Sequence, residues 1–307
     1  MRAFLTSAAL ILALSQAPGA PRAEPPLFKP WINGVAADEP QMQVQRYDAD
    51  TYVIRQSIRT NFEGPFLYLL FGHDRVLLFD TGAGGLKIRP TIDGAVAQWL
   101  AEHHRAAIPL VVAHTHSHGD HHQGDIEFKD RPDTTVVGLY RSQVAAFFGF
   151  KDWPNDIVQY DLGGRVLDVV ATPGHHPTHI MLYDERTQLL LTGDTICACR
   201  LYVPTNQWDV YRASIDRLAA FTKTHPVSHV MGAHVEMARK PGVLIPDEAP
   251  SHPDEHVLEL PASVIGEVQA SVHAMGETPK QEPHADFVVW PLPARDLPPD
   301  SPPPGSP

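Results

Sequence analysis

The chain is expected to fold as an αββα sandwich, an α/β architecture of two mixed β-sheets packed face to face with helices outside. Two observations predict it. Strand-like runs followed by a helix-like run occur twice, first within residues 43–104 and again within 166–221, as two similar halves would. The 307 residues are 43% apolar, enough for the sizeable core of one large domain or two small ones. No short fixed period repeats, so a solenoid is not expected.

The first residues read as a targeting segment. Arg2 supplies a positive start, and residues 3–14 form an apolar stretch too short to span a bilayer. Small residues follow, and Ala17-Pro18-Gly19 fits a cleavage pattern, so residues 1–23 are assigned as a signal peptide. No Cys stands there to carry a lipid anchor. The mature protein is expected to be periplasmic or secreted, with no membrane insertion after signal removal. The net charge of −12, from 36 acidic against 24 basic residues, makes a nucleic-acid partner a poor expectation. A small molecule is the expected partner; the oligomeric state is not legible.

Residues 24–42 are Pro-rich and are expected to be a loose arm before a domain spanning 43–290. Strand-like runs lie within 43–56, at 66–71 and at 76–79, the last two joined by a turn at Gly72-His73-Asp74. The turn Asp80-Thr81-Gly82 follows; Asp80 is either a turn former or a partner that orients a metal-binding histidine. Residues 91–104 have helical spacing, with Ile92, Ala95, Val96, Trp99 and Leu100 on one stripe.

The apolar run 108–113 reads as a buried strand, and it delivers Thr115-His116-Ser117-His118-Gly119-Asp120-His121. His116 and His118 are two apart, so on an extended segment they point the same way and can share an ion. Gly119 permits a sharp turn, after which Asp120 and His121 can face a second ion. Imidazole and carboxylate together suit zinc better than magnesium or calcium. A rival register, His114 with His116 and His118, would make a single three-histidine site but leaves Asp120 and His121 unused.

Residues 134–137 read as a strand and 140–148 as a short helix. The strand 166–171 leads into Thr172-Pro173-Gly174-His175-His176-Pro177-Thr178-His179. His179 is either a support for the site or strand packing. A hairpin of 180–183 and 189–192 ends at Gly193-Asp194-Thr195. Residues 208–221 read as a helix with Tyr211, Ile215, Leu218 and Ala219 on its apolar face, and the strand 227–231 ends in Gly232-Ala233-His234. Residues 258–275 are expected to be helical and 287–290 a short strand. The Pro-rich stretch 291–307 is expected to be disordered. Cys197 and Cys199 are read as two small semi-buried thiols, or else as a thiol near the metal because Asp194 is close in sequence; bridging residues two apart on a strand strains the backbone.

His116-Ser117-His118-Gly119-Asp120-His121 with Gly124, the Asp-Thr-Gly turn, the Thr-Pro-Gly-His turn, Gly-Asp at 193–194 and Gly-x-His at 232–234 together resemble the metallo-β-lactamase superfamily over residues 50–235. The resemblance implies two metal ions, zinc by preference with a single iron as the alternative. His116, His118 and His175 would hold the first; Asp120, His121 and His234 the second; Asp194 would bridge them. Such ions supply hydroxide at neutral pH for attack on a carbonyl or phosphoryl centre, and Asp120 is placed to orient it and receive its proton.

Departures from particular branches narrow the expectation. A glutathione-thioester hydrolase usually has a basic C-terminal helical region, whereas this one is short, acidic and Pro-rich. β-Lactamases of the superfamily usually have Cys or Ser where Asp194 stands, and flavin-di-iron proteins have Glu where His118 stands. The expected function is hydrolysis of a small ester, lactone or amide by an exported dizinc enzyme. The alternatives are β-lactam hydrolysis, a persulfide-dioxygenase-like single-iron enzyme, or a non-catalytic metal-binding scaffold. Trp153, Tyr202 and Trp208 are candidates for the pocket wall, although aromatic residues are more often core.

Overall fold

The computed structural model describes residues 26–303; the expected signal peptide, residues 1–23, lies outside them. Strands β1 (Met42–Asp48), β2 (Thr51–Gln56), β3 (Phe66–Phe71) and β4 (Val76–Phe79) form an antiparallel meander. Helix α1 (Arg89–Glu102) then crosses over to β5 (Leu110–Ala113), which lies parallel to β4, and β6 (Thr134–Val136) closes this six-stranded sheet parallel to β5. A one-turn helix α2 (Gly119–His122) and a 3-10 stretch (Gln123–Glu127) separate β5 from β6. Helix α3 (Arg141–Phe148) leads to the second sheet: β7 (Ile157–Asp161), β8 (Val166–Ala171), β9 (Ile180–Asp184) and β10 (Leu189–Gly193). That sheet is completed beyond β10 by β12 (His229–Gly232) and β13 (Glu259–Pro261). Both sheets mix parallel and antiparallel pairs, as expected.

Burial on both faces explains the apolar strand sequences. In β3, Phe66, Tyr68 and Leu70 join Phe79 and Val111 in the core between the sheets, where Val169, Ile180 and Leu182 meet them. The alternate residues Leu67, Leu69 and Phe71 face the other way, onto Ile92, Val96 and Trp99 of α1. Helix α4 (Trp208–Phe221) covers the second sheet with Tyr211, Ile215 and Leu218, and α5 (Ser263–Met275) adds Val264, Ile265 and Val268. The layers are therefore helix, sheet, sheet, helix.

A small third sheet was not expected. Here β11 (Arg200–Pro204) pairs parallel with β15 (Val288–Leu292), which pairs antiparallel with β14 (Glu282–Pro283). Its register sets Tyr202 opposite Trp290.

Three expectations are corrected. The N-terminal arm is not loose: Phe28 and Ile32 are buried, Trp31 meets Phe66 edge-on at 5.1 Å between ring centroids, and Leu27 N–H donates to Glu259 Oε1 at 2.8 Å. The C-terminal stretch is not structureless through residue 303. Arg295 N–H donates to Asn206 Oδ1 at 3.2 Å, Asn206 Nδ2 donates to the Arg295 carbonyl at 2.9 Å, and Ser142 N–H donates to the Asp300 carbonyl at 2.8 Å. Cys197 and Cys199 are joined in a disulfide. They lie in the bend between β10 and β11 rather than on a strand, with Cα atoms 5.1 Å apart, inside the range a bridge spans.

Candidate metal centre

Strand ends build the centre. β5 ends at Ala113 and the chain bends at Thr115 before His116; at His118 the backbone is extended, at φ −74° and ψ 150°. The chain then enters α2, so Gly119 opens a helical turn that swings Asp120 and His121 away from His118. From the second sheet, β8 delivers His175, β10 delivers Asp194 and β12 delivers His234. Glycine is required twice beside these donors. Gly174 has φ +139°, and a Cβ there would stand 2.5 Å from Tyr211 Cα. Gly193 has φ +51°, and its Cβ would stand 2.7 Å from His179 Nε2.

The seven expected donors converge in two groups, His116–His118–His175 and Asp120–His121–Asp194–His234, each with its donor atoms within 4.8 Å of one another. In the first group His116 Nε2 lies 2.8 Å from His118 Nδ1, and His175 Nε2 lies 3.2 and 3.0 Å from those two atoms. In the second, Asp120 Oδ2 lies 3.1 Å from His121 Nε2 and 3.2 Å from His234 Nε2. Asp194 stands between the groups: Oδ2 is 3.3 Å from His121 Nε2, 3.6 Å from His175 Nε2 and 3.8 Å from His116 Nε2, while Oδ1 is 3.6 Å from His234 Nε2.

The outer ring nitrogens fix the tautomers. His121 Nδ1 donates to Asp80 Oδ2 at 2.8 Å, His175 Nδ1 to the Tyr202 carbonyl at 2.8 Å, and His234 Nδ1 to the Glu63 carbonyl at 3.0 Å. In His175, held neutral, the Nε2 facing inward is then a bare lone pair; His121 and His234 present theirs once the inward proton is given up. In the first group several lone pairs face one another at hydrogen-bond distance, and the buried Asp194 Oδ1 lacks a hydrogen-bond partner; both fit a cation and not a protein-only network.

Charge differs between the groups. Burial, reinforced by neighbouring imidazoles, holds His116 well below the usual histidine range, and burial brings His118 down to about 3. His175 is lowered as well, chiefly by burial. In the second group burial also disfavours the charged ring, but Asp120, Asp194 and Asp80 outweigh it and hold His121 well above that range. At His234 the carboxylates of Asp194 and Asp120 overcome burial and push it up to about 10. Burial would raise Asp120 and Asp194, but their histidine neighbours outweigh it and keep both carboxyls well below the carboxylate range.

Asp80 does more than turn the chain. Held at φ 72°, it accepts from Thr115 N–H at 2.7 Å as well as from His121, so one carboxylate ties the motif loop to the end of β4. His179 is fully buried; its Nε2 accepts from Asp194 N–H at 3.3 Å and its Nδ1 meets Thr172 Oγ1 at 2.9 Å. His114 takes no part: its Nε2 pairs with Asp125 Oδ1 at 2.8 Å, which removes the rival three-histidine register. Of the aromatic candidates, Tyr202 lines the cleft. Trp208 is buried with its indole N–H donating to the Gly276 carbonyl, and Trp153 packs at the core's edge on Phe150. Glu63 was missed because it acts through its carbonyl, which any residue type provides.

The centre opens into a cleft of about 950 Å³ whose floor includes His118, Asp120, His175, Asp194 and His234. Glu63, Glu236, Leu292 and residues 295–298 also line it, as do Arg200, Tyr202 and Trp290, which are neighbours on the third sheet.

The chain is similar to the hydroxyacylglutathione hydrolase of Rhizobium meliloti (strain 1021), 27% identical over 152 residues, covering 48% of this chain and 55% of that protein. It is 32% identical over 139 residues to the hydroxyacylglutathione hydrolase of Pseudomonas entomophila (strain L48), covering 43% and 51%. It is 26% identical over 201 residues to the acyl-coenzyme A thioesterase MBLAC2 of Bos taurus, covering 55% and 72%. The chain spans about half the length of the first of these curated relatives. Among solved structures, TMB-1 superposes with a TM-score of 0.50 at 11% identity, over 77% of this chain and 99% of that one, a likeness of fold alone. The family model described as the metallo-beta-lactamase superfamily matches residues 61–224, more than half of the chain, and on that match the chain belongs to the metallo-beta-lactamase superfamily.

Proposed function

We propose that the protein is an exported, zinc-dependent hydrolase of a small carbonyl substrate: an ester, lactone or amide, with thioesters added by the names of its relatives. The convergence of seven donors in two adjoining groups on the floor of an open cleft carries this reading. His116, His118 and His175 would hold one ion, Asp120, His121 and His234 a second, with Asp194 shared. Zinc bound there lowers the pKa of water to about 7 and polarises a substrate oxygen.

The chain's own residues do the rest. Asp80, the Tyr202 carbonyl and the Glu63 carbonyl keep three imidazoles in the tautomer that presents Nε2 inward. His179 holds the Asp194 backbone. Asp120 is ionised at neutral pH and lines the cleft, so its carboxylate can orient water and accept its proton as the carbonyl carbon is attacked. The bond to the leaving group then breaks, and that proton leaves with it. The apolar stretch near the N-terminus and the Cys197–Cys199 bridge both suit an oxidising compartment outside the cytosol.

A panel of chromogenic ester, lactone, thioester, β-lactam and phosphodiester substrates, with and without chelator, tests the proposal. Carbonyl-ester turnover that chelator removes and zinc restores is expected. Turnover indifferent to chelator would overturn it.

A further inference from the structure

We infer that Arg295, on the C-terminal strap, selects substrates that carry a carboxylate on a short hydrocarbon arm from the scissile carbonyl; the inference rests on the hydrolase reading above.

The strap is placed by the third sheet. β15 runs parallel to β11 with Leu292 opposite Pro204, so the chain leaves the sheet at the cleft mouth. It is then pinned twice. The reciprocal pair between Asn206 and the Arg295 backbone holds one end, and Asp300, bonded to Ser142 N–H and paired with Arg141, holds the other. Residues 295–298 lie between these anchors and line the cleft.

Two cationic side chains other than histidine line this cleft, and only one is available. Arg200 is buried: Nη1 pairs with Glu236 at 3.2 Å, and Nη2 pairs with Asp247 at 2.7 Å and donates to the Ile245 carbonyl at 3.0 Å. The Arg295 guanidinium is exposed and has no hydrogen-bond or ion-pair partner among the described residues, although its backbone is bonded on both sides. An unpaired surface arginine is ordinarily unremarkable. This one is fixed at its root on a cleft that the apolar Trp290, Leu292 and Leu297 also line. A planar fork of donors on a cleft with apolar lining suits a carboxylate on a short hydrocarbon arm, held in two parallel hydrogen bonds.

The test compares two chromogenic esters with the same leaving group: p-nitrophenyl acetate and the mono-p-nitrophenyl ester of glutaric acid. The zinc-loaded wild-type chain is expected to prefer the glutarate ester. Arg295→Ala should lower kcat/KM for that ester about tenfold to a hundredfold more than for the acetate, mostly through KM; Arg295→Lys should restore part of the loss. Calorimetric titration with glutarate, which needs no turnover, should show binding weakened in the same order. Equal effects of Arg295→Ala on both esters, or undiminished glutarate binding, would overturn the inference while leaving the hydrolase reading intact. Failure of the zinc-loaded wild type to cleave either ester would instead defeat the hydrolase reading, and the inference with it.

Discussion

The two donor groups share a floor but differ in charge: one is neutral, and the other sets ionised carboxylates against positively charged imidazoles. The three-histidine group holds no carboxylate of its own, and burial keeps its rings neutral. The other group holds Asp120 and Asp194, with Asp80 behind His121, and these carboxylates draw positive charge onto His121 and His234. Neutral imidazoles offer lone pairs ready for a metal, whereas the carboxylate-rich group must exchange protons for one. A cation in the first group would be held by nitrogen donors, whereas one in the second would be held largely by charge.

Removing one donor from the neutral group is expected to have the largest effect. His118→Ala should reduce turnover to the chelator-treated background, and undiminished turnover would place the chemistry elsewhere. Asp80→Asn should act on the charged group alone. Asn tolerates the left-handed backbone at this position but cannot hold His121 as a carboxylate does. The second ion should be lost about tenfold to a hundredfold more readily, with the first unaffected; competition with a graded chelator reads this out. Equal loss of both ions would erase the distinction between the groups.

A buried pair outside both groups provides a control. Arg55 and Glu255 form a bidentate ion pair, and Arg55 outweighs burial to hold the Glu255 carboxyl below its usual range. A depressed folded-state pKa stabilises the fold above the unfolded value, about 4.3, and that stability is lost as pH falls through the lower folded value. Glu255→Gln should therefore cost about 3 kcal/mol at pH 7 by urea unfolding, with the gap to wild type closing below pH 4 and metal content unchanged. The smallest effect is expected at the disulfide. It closes a loop of only a few residues, so replacing both Cys197 and Cys199 with Ser should cost no more than about 1.5 kcal/mol in the same assay.

Much of the centre was legible because each donor follows a strand and four of the seven sit within six residues, His116 to His121. The stripe on α1 was legible for a similar reason: its period lies in the residues themselves. Other features leave no such trace. The carbonyls of Glu63 and Tyr202, which orient His234 and His175, belong to the backbone. The pairing of β11 with β15 joins segments far apart in the chain, and neither shows strict alternation. The Pro-rich arm and strap have the composition of disordered segments. A few residues nevertheless hold them to the surface: Phe28 and Ile32 by burial, and Asn206 and Asp300 by hydrogen bonds. Strand-based reasoning about Cys197 and Cys199 failed because the chain bends there.

Metal analysis of the purified chain after loading, alongside His118→Ala and His234→Ala, tests the central claim most directly. About two zinc ions per wild-type chain are expected, falling to about one in each variant, since each removes a donor from a different group. A single iron in the wild-type chain, or a metal content that neither substitution changes, would contradict a paired centre built from these two groups.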